Sequence, residues 1–355
     1  MPDIFQTLRI GDLTLPNRVV MAPLTRTRTK GNHVPSHLMV DHYAQRATGG
    51  LLIAEATMVA EGHSAFAQEP GIYNTVQVAA WRDVTEAVHA RGGRIFLQLI
   101  HGGRASHPAY NNDLQPLAPS AIRIQGEVNT PTGKLPYVTP RALLDSEIPL
   151  IVEAFRSSAA NAKAAGFDGI EIHGANGFLI DQFLRTGSNN RTGRYGGSIE
   201  NRARLLFEIL NAVIAEWGSN RVGLRLSPIN GVNDMRDENP LGLTSWLAEA
   251  LNSFDLAYLH VMRGDFRNQQ TGDVLSIARK KFSGVLIANM GYTPEEAIQS
   301  VANGSADAIA FGTAYLANPD LPERIQRGVE LNKPDPSTFY GSGAAGYNDY
   351  SVMHS

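Results

Sequence analysis

Leu205-Leu-Phe-Glu-Ile209-Leu-Asn-Ala-Val213-Ile-Ala-Glu-Trp217, then Gly218-Ser-Asn-Arg221, then Val222-Gly-Leu-Arg225-Leu-Ser227 contains both halves of the unit that decides the fold. In the first part Leu205, Leu206, Ile209, Leu210, Val213, Ile214 and Trp217 follow one helical face, and Ser198 stands where it can cap the helix start. The last part is a short apolar run of the kind that forms a strand buried on both faces. Seven more such runs lie along the chain: Arg18 to Thr25, Leu51 to Val59, Arg94 to His101, Gly169 to His173, Leu256 to Met262, Val285 to Met290 and Ala308 to Gly312. Helical patterns separate them, and this alternation predicts a parallel sheet. Eight units within 355 residues fit an α/β fold closed as a (β/α)8 TIM barrel better than a doubly wound open sheet. Residues 1–355 are read as one domain without an internal repeat.

Composition narrows the function. The chain is 43% hydrophobic and 18% charged, with a formal net charge of −3, so it is globular and lacks the positive surface that nucleic acid or an acidic membrane requires. No apolar run approaches the roughly 18 residues of a bilayer span, and Met1 to Asp12 do not read as a secretory signal. The expectation is a cytoplasmic monomer or homodimer acting on small molecules. With no cysteine, disulfides, thiolate metal sites and a cysteine nucleophile are excluded, so redox chemistry requires a bound organic cofactor.

Two departures from a minimal barrel stand out. Between the third and fourth strands, Gly102 to Asp145 is too long for a simple connection and predicts an excursion over the C-terminal face. Its alternations Ile122 to Ile124 and Lys134 to Val138 are expected to pair as a hairpin lid. Before the first strand, Leu8 to Leu15, broken by Gly11-Asp12, predicts a hairpin plugging the barrel bottom. The Gly- and Tyr-rich stretch from Phe339 is expected to lie over a surface.

Barrel enzymes carry their chemistry at the C-terminal ends of strands. Those ends hold Pro23 and Thr25, Glu55-Ala56-Thr57, Gln98 and His101, His173 with Asn176 beyond, and Arg225. Arg225, flanked by Leu224 and Leu226, points into the barrel, where an unpaired guanidinium is costly. Its partner is either an anionic or strongly accepting ligand or a core carboxylate such as Glu55 or Glu171. His173 and Asn176 converge only if Gly174 and Gly177 turn the chain. They then form two neutral donors suited to an oxygen gaining negative charge, the alternative being a satisfied core His beside a turn Asn. Glycines in Asn289-Met290-Gly291 and Phe311-Gly312-Thr313, after strands seven and eight, suit a phosphate.

Three signals carry little weight. Gly341-Ser-Gly-Ala-Ala-Gly346 spells a dinucleotide fingerprint without a leading strand or room for a βαβ unit. His33 and His37 have metal-ligand spacing, but Pro35 lies between them and no carboxylate completes a set, so no metal site is expected. The sequons at Asn190 and Asn303 mean nothing without secretion.

Ala22-Pro-Leu-Thr-Arg26, His173-Gly-Ala-Asn176-Gly-Phe178, Asn190-Arg-Thr-Gly-Arg-Tyr195-Gly-Gly-Ser-Ile-Glu-Asn-Arg202 and Gly346-Tyr-Asn-Asp-Tyr350 resemble the signature stretches of the old yellow enzyme family of ene-reductases. The resemblance runs from about Ile4 to Tyr350. It implies an FMN-containing barrel that passes hydride from NADPH or NADH, through flavin N5, to the β-carbon of activated alkenes: unsaturated carbonyls, nitroalkenes, maleimides or quinones. One face serving donor and acceptor in turn implies ping-pong kinetics. By the same resemblance Pro23 and Thr25 contact the flavin, Thr25 at its C4 carbonyl, and Gln98 and Arg225 hold the pyrimidine edge. Ala56, Gly291 and Gly312 match backbone contacts to flavin and phosphate, while His173 and Asn176 grip the substrate oxygen.

Three positions depart from the family pattern. Phe178 replaces the Tyr that gives a proton to the α-carbon, so that proton must come from water or another group, and acceptors needing no prompt carbon protonation are favoured. Thr313 stands where an Arg binds the FMN phosphate, which predicts weaker retention unless another cation compensates. Ile100 replaces a frequent Trp and leaves a smaller substrate wall; Tyr340 and Tyr73 are further candidate wall residues. Two other readings stay open. A phosphate-binding barrel lyase or isomerase needs a Lys or a carboxylate pair at the strand ends, and Lys134, Lys163, Lys280 and Lys281 lie in loops or helices. A flavin-binding protein with weak turnover is the other.

Overall fold

The computed structural model describes residues 2–353. Eight parallel strands close into a barrel: Val19–Met21, Leu51–Met58, Ile95–Ile100, Gly169–Gly174, Val222–Leu226, Tyr258–Met262, Leu286–Asn289 and Ala308–Phe311. Each expected strand is present; most are shorter by one to four residues at one or both ends, the sixth starts two residues later, and the fourth runs one residue further, to Gly174. Every strand pairs with its sequence neighbours, and the first closes against the eighth through Ala310 opposite Val20. Along all eight the side chains are buried, because one face looks into the barrel and the other lies under helices. Ser198 accepts a hydrogen bond from the Asn201 amide and opens helix Ile199–Trp217, and Thr293 does the same for helix Pro294–Ala302 through Glu296.

Register brings the polar positions to one level. His173 pairs with Arg225 and Arg225 with His260, while Gln98 stands opposite Glu171 one layer below. At the opposite end, strands Leu8–Ile10 and Leu13–Leu15 form an antiparallel hairpin whose leucines and Ile10 pack on Val20, Leu51, Ile53, Phe96 and Ile287.

The excursion after strand three contains a hairpin, but its first strand is Glu127–Thr130 rather than Ile122 to Ile124, and its second is Gly133–Pro136. The alternation at Ile122 to Ile124 has another cause: Ile124 is anchored in an apolar cluster with Ala56, Ala65, Ile100, Ala105 and Phe178. The tail also differs from expectation, since Tyr347 is fully buried and stacks on His42 at 3.9 Å. Arg26 donates to Gly346 O at 2.7 Å, Arg28 to Thr338 O at 2.7 Å and Arg46 to Tyr347 O at 3.3 Å, so guanidinium groups tie the chain end to the first barrel unit.

Candidate active site

Arg225 sits wholly inside the barrel. Its guanidinium donates to Asn289 Oδ1 at 2.8 Å and meets His260 Nε2 at 2.8 Å, while Nε finds no partner among the described residues. His260 Nδ1 in turn lies 2.8 Å from Glu171 Oε2, and Gln98 Nε2 donates to Glu171 Oε1 at 2.7 Å. Burial, reinforced by Arg225, drives His260 down to about 4, so it is a neutral relay. Glu171 thus reaches Arg225 only through His260, and Glu55 is engaged elsewhere, by Tyr43 and the Arg26 amide. Of the two partner classes, the core carboxylate is indirect and the orphaned Nε leaves a donor for something else.

Of the two glycines expected to turn the chain, Gly177 does so, while Gly174 ends the strand in ordinary extended backbone. Asn176 takes a left-handed conformation at φ 59° and Gly177 follows at 74°. A Cβ on Gly177 would lie 2.7 Å from both Asn233 Cβ and Met235 Cγ, which makes the close approach a glycine requirement. The Asn176 amide N–H donates to Ser227 Oγ at 2.8 Å, its Oδ1 accepts from Asn230 Nδ2 at 2.8 Å, and its main-chain carbonyl accepts from Asn233 Nδ2 at 2.8 Å. With Oδ1 taken, Nδ2 is the free donor. His173 Nδ1 accepts from the Ala175 amide at 3.3 Å, which puts the ring proton on Nε2. Burial, with the Arg225 cation adding to it, holds this imidazole well below its ordinary range and therefore neutral. Two neutral N–H donors with fixed orientations are what an oxygen gaining charge requires.

Phe178 closes this region. Its ring meets His173 edge-on at 4.8 Å and joins the cluster of Ala56, Ile100 and Ile124, against which Phe66 and Tyr137 pack. Tyr340 is 61% exposed and stacks on Phe66 at 6.1 Å, so it reaches the wall from outside. Tyr73 lies elsewhere, in a cavity of about 400 Å³ with Asn32, His33, Glu61 and Tyr110.

The ends of strands seven and eight form a second, more open region. Met290 and Gly291 both have positive φ, 91° and 71°. Arg263, from the end of strand six, donates from Nε to Met290 O at 2.9 Å and from Nη2 to Gly291 O at 3.2 Å, and pairs with Glu296. Gly312 leads into helix Thr313–Ala317, leaving the Thr313 side chain exposed. Among the described residues a Cβ on Gly291 would meet only Arg263 within 4.0 Å, and one on Gly312 only Leu24 at 3.4 Å, so both backbones border open space.

Pro23 and Thr25 are half-buried at the end of strand one, and neither Thr25 Oγ1 nor Gln98 Oε1 has a hydrogen-bond partner among the described residues. Thr25, Gln98, Arg225 and the two glycine turns therefore offer unpaired polar groups and open backbone of the kind a flavin mononucleotide needs. His260, Glu171, Asn289, Asn230, Asn233 and Arg263 complete the site; of these Glu171, Asn289 and His260 lie on expected strands, but the sequence does not single out His260, and Asn230, Asn233 and Arg263 lie beyond strand ends.

Residues 3–332 match the model of the NADH:flavin oxidoreductase / NADH oxidase family. A probable flavin mononucleotide-dependent alkene reductase of Leishmania infantum is 50% identical, over 99% of this chain and 97% of its own. Rice 12-oxophytodienoate reductase 1 is 43% identical, over 97% of this chain and 92% of its own. Among solved structures, the old yellow enzyme from Trypanosoma cruzi superposes with a TM-score of 0.97 at 45% identity, covering 99% of each chain. A morphinone reductase in complex with tetrahydroNAD gives 0.95 at 45%, over 100% of this chain and 98% of its own. A family match over nearly the whole barrel, joined to a shared architecture, places the chain in the NADH:flavin oxidoreductase / NADH oxidase family, that of the old yellow enzymes.

Proposed function

We propose that this FMN-dependent oxidoreductase takes hydride from NADPH or NADH and delivers it to the β-carbon of small activated alkenes, with donor and acceptor using one pocket in turn. Unsaturated carbonyls, nitroalkenes, maleimides and quinones are the acceptor classes. FMN supplies the hydride carrier. Thr25 and Gln98 would offer hydrogen bonds to the flavin ring, Pro23 and Ala56 would contact it, and Gly291, Gly312 and Thr313 would hold its phosphate. Arg225 would favour the reduced state, because a fixed buried cation stabilises the negative charge gained there.

The observation that carries this reading is the pair of oriented donors. Ala175 forces the proton of His173 onto Nε2, and Asn230 forces Asn176 to present Nδ2. Each residue thus has one N–H left to offer; given to the same acceptor oxygen, the two would draw electron density from the conjugated double bond and need no reorganisation as charge develops. Ile100 and Phe178, both buried and apolar, shape the wall beside that oxygen.

An anaerobic visible spectrum of the purified protein tests the reading. Flavin bands should bleach with NADPH and return when 2-cyclohexenone or a nitroalkene is added. A protein that shows no flavin and takes up no added FMN would overturn it and favour the phosphate-binding lyase.

A further inference from the structure

Phe178 has no exchangeable proton, yet reduction of an enone requires one at the α-carbon. The described phenols near the mouth differ in their freedom to supply it. Tyr110 donates to Ala65 O at 3.1 Å, Tyr73 lies in the side cavity, and Tyr340 is 61% exposed outside Phe66. Tyr137 is placed differently. It follows the lid strand Gly133–Pro136, its main chain is tied back by a 3.2 Å bond from its amide to Gly126 O, and its ring packs on the cluster containing Phe178, Ile100 and Ala56. Its hydroxyl lies 3.4 Å from Asn233 Oδ1, and the other end of that amide donates to the Asn176 carbonyl at 2.8 Å. A two-bond chain therefore links the lid phenol to the loop that presents the oxygen-gripping donor.

We infer that Tyr137 is the acid that protonates the α-carbon in this protein, a phenol carried by the lid in place of the one lost at position 178. The inference rests on the alkene-reductase reading above. Once hydride has reached the β-carbon, the substrate is an enolate whose oxygen is held by His173 and Asn176. The enolate electron pair forms the new bond to hydrogen, the Tyr137 O–H bond breaks, and the enolate returns to a carbonyl. The tyrosinate then takes a proton from water. Half-buried, Tyr137 touches both the apolar wall and solvent. The bond to Asn233 is at the long limit of a hydrogen bond, so little is lost when the hydroxyl turns toward substrate. Partial burial raises the phenol above its ordinary range and keeps it protonated until the enolate demands the proton.

The test is anaerobic stopped-flow of NADPH-reduced holoenzyme, comparing reoxidation by 2-cyclohexenone with reoxidation by 1,4-benzoquinone, which needs no carbon protonation. Tyr137→Phe should lower the enone-to-quinone rate ratio on the order of 100-fold, the contribution typical of a positioned acid. Phe178→Tyr in the same background should restore it. A fall smaller than about tenfold, or a larger one that Phe178→Tyr does not rescue, overturns the proposal. A second readout needs no turnover: the 19F resonance of 3-fluorotyrosine at position 137 should shift when cyclohexanone fills the pocket, and an unmoved resonance also overturns it. Failure of the parent protein to bleach with NADPH would instead sink the functional reading, so the two failures are distinguishable.

Discussion

The two ends of the proposed flavin site, a ring end and a phosphate end, are built on different principles. At the ring end Gln98, Glu171, His260, Arg225 and Asn289 come from five strands and interlock through contacts of 2.7 to 2.8 Å, with none more than 6% exposed. At the phosphate end two positive-φ turn residues are held from outside by Arg263, whose pair with Glu296 is open to water at 29% and 41%. The first arrangement belongs to the barrel core and cannot relax without disturbing it. The second is a loop fastened by one side chain. Losses at the ring end should therefore appear as lost folding stability as well as lost cofactor, and changes at the phosphate end as altered affinity alone.

The largest effect should follow from Arg225→Leu. It leaves Asn289 Oδ1 and His260 Nε2 without their donor, and Glu171 without the cation behind His260, in a low-dielectric interior. Breaking a buried charged network by deleting one partner costs about 3–5 kcal/mol. Urea unfolding of the apoprotein should show this loss, and FMN titration a collapse of affinity. If the apoprotein lost less than about 1 kcal/mol, the typical effect of an ordinary substitution, the network would not be interlocked and the contrast between the ends would break.

How far these two ends could be read in the sequence follows the same division. Barrel strands are short apolar runs, so all eight were legible, and so was Arg225, because a charge among leucines contradicts its surroundings. Its partners were not. His260 is 35 residues away and Glu171 lies 89 residues from His260, and only strand register decides which inward polar groups meet. The donors at His173 and Asn176 were legible as residues, but Asn230 and Asn233, which orient the loop, sit in a turn with no period. Ile122 to Ile124 read as a strand because alternation does not distinguish a ladder from a wall anchored at Ile124. Tyr137 falls within the expected lid strand Lys134 to Val138, but nothing marked it as a site residue, since an insertion carries no barrel repeat against which to measure it. Among the resemblance motifs, Asn190 to Arg202 proves to be scaffolding: Arg191 donates to Leu143 O, and Arg202 to Leu184 O.

At the phosphate end, Thr313→Arg sharpens the comparison. Thr313 is exposed at the start of its helix, beside the open backbone of Gly312, so a longer side chain meets no core. A charge-assisted hydrogen bond contributes about 1.5–3 kcal/mol, and equilibrium dialysis should show FMN bound roughly tenfold tighter or better. Apoprotein stability should stay within about 0.5 kcal/mol, as for other surface changes. Unchanged FMN affinity would mean that the phosphate already has its cation.

Arg263 is the cation nearest the Met290–Gly291 turn, and Arg263→Gln carries the smallest expected effect. Arg263 holds the carbonyls of Met290 and Gly291, and the Met290 φ of 91° is strained for a side chain with a Cβ. Glutamine keeps one donor for the turn but loses the charge and the pair with Glu296. An exposed ion pair contributes about 0–1 kcal/mol, so the apoprotein should unfold at nearly the same urea concentration. FMN affinity should fall about threefold to tenfold, the sum of a looser turn and a lost positive charge. Combining Arg263→Gln with Thr313→Arg separates those two contributions. If the new arginine recovers the whole loss, Arg263 acts on the phosphate by charge; if it recovers none, Arg263 acts by holding the Met290–Gly291 turn, and the phosphate end is organised by backbone geometry as the ring end is by side chains.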